Sequence, residues 1–82
     1  MSELEATKRI VEQRLYDLAS ELRFVPVREN SRPLHLRALA LKRALREWSA
    51  VPPPPDALAA MHAELRALLD AARSARRDIR AA

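Results

Sequence analysis

An all-α fold follows from three observations on this 82-residue chain. Apolar residues recur at three- and four-residue steps in three stretches, proline-bearing breaks separate those stretches, and no segment reads as a strand. The expected architecture is a small antiparallel three-helix bundle, or a helical hairpin with a third helix added, with coiled-coil-like packing. A chain this short fits one domain, residues 1–82, and leaves no room for a second independently folded one.

Helix 1 is expected from about Glu3 to Arg23, with Leu4, Val11, Leu15, Leu18 and Leu22 on one face. Ser2 followed by Glu5 has the capping-box spacing, in which hydroxyl and carboxylate satisfy free amides at a helix start. Lys8 falls on the apolar seam, where its charge is costly unless the head reaches water or an acidic partner. Pro26 ends the rhythm, and Asn30 is the residue in that break best suited to the left-handed conformation usually taken by glycine.

Helix 2 is expected from about Pro33 to Ser49, since proline suits the first turn, and its main stripe is Leu34, Ala38, Leu41, Leu45 and Trp48. Residues 50–56 read AVPPPPD and form the second break. Four prolines in extended polyproline geometry make a strut of about 12 Å, enough to cross the end of one helix and start an antiparallel neighbour. Asp56 is placed to cap helix 3, expected over about 57–80 with Leu58, Met61, Leu65, Leu68, Ala72, Ala75 and Ile79 on its seam.

Glycine is absent, where average usage of about 7% would have supplied about six residues. The chain therefore lacks glycine-rich phosphate loops, dinucleotide fingerprints and glycine-dependent hairpin turns. It also lacks cysteine, which excludes disulfides, thiol nucleophiles and cysteine zinc sites. His35 and His62, the two histidines, have no histidine or carboxylate four residues away, so no local metal pair is expected. The serines carry no recognisable base or oxyanion motif, and the expectation is a non-enzymatic protein without cofactor or metal. Short apolar runs and an acidic N-terminus make a cytoplasmic protein with no role at a membrane the expectation.

The net charge of +4 is carried by residues 24–49, which hold six basic and two acidic groups. Arg28, Arg32, Arg37, Lys42, Arg43 and Arg46 are the candidate contacts for an anion or nucleic acid, although they spread around helix 2 without forming one stripe. Helix 3 carries a second basic row, His62, Arg66, Arg73, Arg76 and Arg80, beside its apolar seam. Such a row can track phosphates, and in bundles it also serves as snorkelling or ion-pairing arginines.

Helix 2 is apolar on two faces. At about 100° per residue, Leu36 and Leu39 lie far around from the main stripe. A small core without disulfides gains from association, so Leu36, Leu39 and Trp48 are the candidate anchors for a partner. The functional expectation is a protein–protein interaction module, such as an adaptor, regulator or assembly component, that forms a homo-oligomer, a dimer first, and also engages another protein. The alternative is a small nucleic-acid-associated protein that uses the basic residues of helix 2 and its entry loop.

Overall fold

The computed structural model describes residues 3–81, and all regular structure in that range is helical. The elements are α1 (Glu3–Leu22), α2 (Arg32–Glu47) and α3 (Pro55–Ala81). Leu4 and Leu58 line one hollow at the start of α1 and α3, while Glu21 meets Arg73 and Arg76 near their ends. These two helices therefore run parallel. α2 runs back antiparallel to both and packs alongside them, with His35 bonded to the carbonyl of Val25 and Trp48 accepting a bond from Lys8. The resulting up-down-up arrangement measures 45 × 19 × 17 Å.

α1 and α3 form the closest pair, and α2 is laid against them more sparingly. The core reflects this division. Val11, Leu18 and Leu22 of α1 meet Leu58, Met61, Leu65, Leu69 and Ala72 of α3, whereas α2 buries only Leu41. Leu34, Ala38, Leu45 and Trp48 are partly buried against that cluster. Lys8 resolves its place on the seam by donating from Nζ to the Trp48 carbonyl at 3.3 Å, where the C-terminus of α2 concentrates unpaired carbonyls.

The seam of α3 departs from the sequence expectation. It passes through buried Leu69, with Leu68 only partly buried, because a straight helix drifts relative to a strict seven-residue repeat. Ile79 is 42% exposed because α3 continues past the end of α1.

The first break is closed differently from the expectation as well. No described residue has a positive φ, so Asn30 is not left-handed. Ser31 performs the closure instead: its hydroxyl donates to the Pro26 carbonyl at 2.7 Å and accepts from the Arg28 amide at 2.9 Å. Ser31 occupies the N-cap position of α2 without a side-chain capping bond. The capping-box expectation for Ser2 lies outside the described residues.

At the second break, α2 unwinds through turns in which Ser49 and Ala50 bond back to Arg46 and Glu47. Pro52, Pro53 and Pro54 then span the gap, with Pro53 buried. Pro55 is the first residue of α3, and the Leu58 amide bonds to the Pro54 carbonyl at 3.0 Å. Proline is well suited there because its ring presets φ and the missing N–H would have no partner inside the helix. Asp56 consequently lies within the first turn, where its charge opposes the positive end of the helix dipole, and does not precede the helix as a cap.

Candidate functional site

The sparse seating of α2 leaves an open groove of about 640 Å³ between α1 and α2. Leu15, Ala19, Leu22 and Ala38 supply apolar surface to it, and the two alanines are too short to fill the gap. Tyr16 of α1 and Leu39 of α2 also line the groove and are 68% and 44% exposed. Leu36 is 60% exposed and lies about 60° around α2 from Leu39, so the apolar surface continues from the groove onto the outer face of the helix. Trp48 does not join this surface: it packs against the core and closes the end of α2. Tyr16 is the residue of this site that sequence periodicity passed over, because it lies on the polar flank of the α1 stripe.

The six basic residues singled out around α2 have separate fates. Arg37 is committed to an exposed intramolecular pair, with its guanidinium gripping both carboxylate oxygens of Glu64 on α3 and one of the two bonds at 2.7 Å. That hydrogen-bonded pairing lowers the pKa of Glu64 from the usual carboxylate range and raises that of Arg37. Arg28 is placed on the connecting loop and bonds Ser31 through its backbone. Arg32, Lys42, Arg43 and Arg46 are exposed and take part in none of the ion pairs among the described residues. Lys42 lines the groove together with Arg23, the residue that follows α1. Arg43 and Arg46 follow Leu36 and Leu39 by seven residues, so each lies nearly below its leucine on the same edge of α2.

The far side of α1 carries the second basic surface. Glu21 bonds Arg76 at 3.0 Å and lies 3.8 Å from Arg73, and the Arg76 guanidinium stands 4.1 Å from the centre of the Phe24 ring. These contacts tie the end of α1 to α3. Arg66, Arg73 and His62 of the sequence row line a cleft to which α1 contributes Arg14. That fourth group lies far away in sequence, and spacing along α3 gives no sign of it.

His35 has a structural role. Because a carbonyl only accepts, its Nε2 must carry the proton donated to the Val25 oxygen at 2.9 Å. Among the described residues no group of three or more His, Asp or Glu is placed to hold a metal ion. No helix among them is long and apolar enough to cross a membrane. Comparison with protein-family models, curated proteins and solved structures found no match.

Proposed function

We propose that this chain is a non-enzymatic helical interaction module whose α1–α2 groove receives an amphipathic helix from another protein. The partner helix carries an apolar stripe flanked by acidic residues. One observation carries this reading: exposed Leu36, Leu39 and Tyr16 lie on and beside an apolar groove lined by Arg23 and Lys42, with Arg43 and Arg46 beside the leucines on α2, and none of these four basic residues is used in an ion pair among the described residues. Glu12 is the one acidic residue that lines the groove, against Arg23 and Lys42, so its charge is predominantly positive. Helix-in-groove docking uses anchors three, four and seven residues apart, and complementary charge beside them sets orientation and association rate.

The charge also bears on self-association. A second copy docking through its own α2 would bring its Arg43 and Arg46, and with them the same positive charge, to this basic surface. Like charges opposed in this way favour an acidic partner over a homodimer at this surface. A nucleic acid would satisfy the arginines but would leave Leu36 and Leu39 without an apolar contact.

Photo-crosslinking in the native host tests the proposal, with a photoreactive amino acid replacing Leu39 and, as a control, exposed Ala67 on α3. The expected product is a Leu39-specific adduct that maps by mass spectrometry to an acidic amphipathic helix of another protein. An adduct to the chain itself, an adduct to nucleic acid, or equal yields at the two positions overturns the proposal.

A further inference from the structure

We infer that the cleft between α1 and α3 binds a polyphosphate group, on a face of the molecule separate from the docking groove. Arg14 of α1 and His62, Arg66 and Arg73 of α3 line this cleft, whose volume is about 380 Å³. Asp70 is the one carboxylate that lines it. Arg14 and Arg66 make no ion pair among the described residues. Arg73 has only a loose one, because Glu21 lies 3.8 Å from it and bonds Arg76 more closely at 3.0 Å. The cleft thus gathers three guanidinium groups from two helices around little negative charge. A bound anion would neutralise this concentration of positive charge.

The chemistry of the lining selects the kind of anion. Guanidinium groups present planar forks of N–H donors that match phosphate oxygens, and the His62 ring adds a further donor. The parallel course of α1 and α3 is what brings Arg14 to the row on α3. Arg66 and Arg73 are seven residues apart, about 10 Å along the helix, which suits a chain of phosphates better than a single ion. A free inorganic polyphosphate and the phosphate tail of a nucleotide both offer this chemistry.

Calorimetric titration of the full chain with inorganic tripolyphosphate, against sulfate at matched ionic strength, tests the inference directly. Tripolyphosphate is expected to bind more tightly than sulfate and to raise the melting temperature, as any ligand of the folded state does. The variant R14Q/R66Q should weaken binding by about tenfold or more, the scale of losing charge-assisted hydrogen bonds. The variant R28Q/R32Q removes the same charge from the α2 entry segment and should change binding by less than about twofold, because exposed charges at a distance are screened. Adenosine triphosphate binding as tightly as tripolyphosphate supports the site with a nucleotide tail as the source, and weaker binding supports it with free polyphosphate. Tripolyphosphate binding no better than sulfate overturns the inference, as do equal losses in the two charge-matched variants.

Discussion

Ser31 shows how one hydroxyl can replace the conformational freedom that glycine would otherwise supply. It accepts from Arg28 and donates to Pro26, so the loop after α1 turns without any residue at positive φ. Removing the hydroxyl leaves both backbone groups without a partner inside the protein. Ser31→Ala should therefore destabilise the fold by about 1 kcal/mol, read as a lower urea midpoint at unchanged slope. Asn30 provides the matching control. Were it left-handed, glycine would improve that position; at negative φ, Asn30→Gly should instead cost about 0.4–1 kcal/mol by enlarging the unfolded ensemble. A stabilised Asn30→Gly variant would contradict a negative φ at Asn30.

Among the elements, α3 shows where sequence periodicity was sufficient and where it failed. The apolar rhythm located the three helices because burying one face of each requires three- and four-residue steps. It could not rank α1–α3 as the close pair, choose Leu69 over Leu68 for the interior, or bring Arg14 to the arginine row. Those features depend on how separate helices meet. The same limit applied to the docking groove: Leu36 and Leu39 were readable as a second apolar face of α2, whereas Tyr16 became part of that surface only through the approach of α1. Ala72 is fully buried in the closely packed part of α3, while its neighbour Ala71 is exposed. Ala72→Leu should force α1 and α3 apart and cost about 1–3 kcal/mol, whereas Ala71→Leu should be close to neutral. Thermal melts of the two variants check this, and equal melting temperatures would refute the close α1–α3 seam.

Across the whole molecule, burial is distributed unevenly, and this couples the proline link to the groove. α1 and α3 hold nearly all of the fully buried side chains, while α2 contributes Leu41 and is kept in place by edge contacts such as Arg37–Glu64, Lys8–Trp48 and His35–Val25. An element with few buried apolar contacts opens locally at lower free energy than the rest of a fold. The link before α3 counters that tendency, because Pro52, Pro53 and Pro54 limit the number of conformations a detached α2 can explore, and Pro53 is itself buried. A partner helix entering between α1 and α2 would use the same soft boundary. Hydrogen exchange should accordingly find α2 amides exchanging faster than those of α1 and α3. Replacing Pro52–Pro54 with Gly-Ser-Gly should accelerate α2 exchange selectively, since the added chain entropy favours the opened state. Uniform acceleration of all three helices would show instead that the protein opens as one cooperative unit.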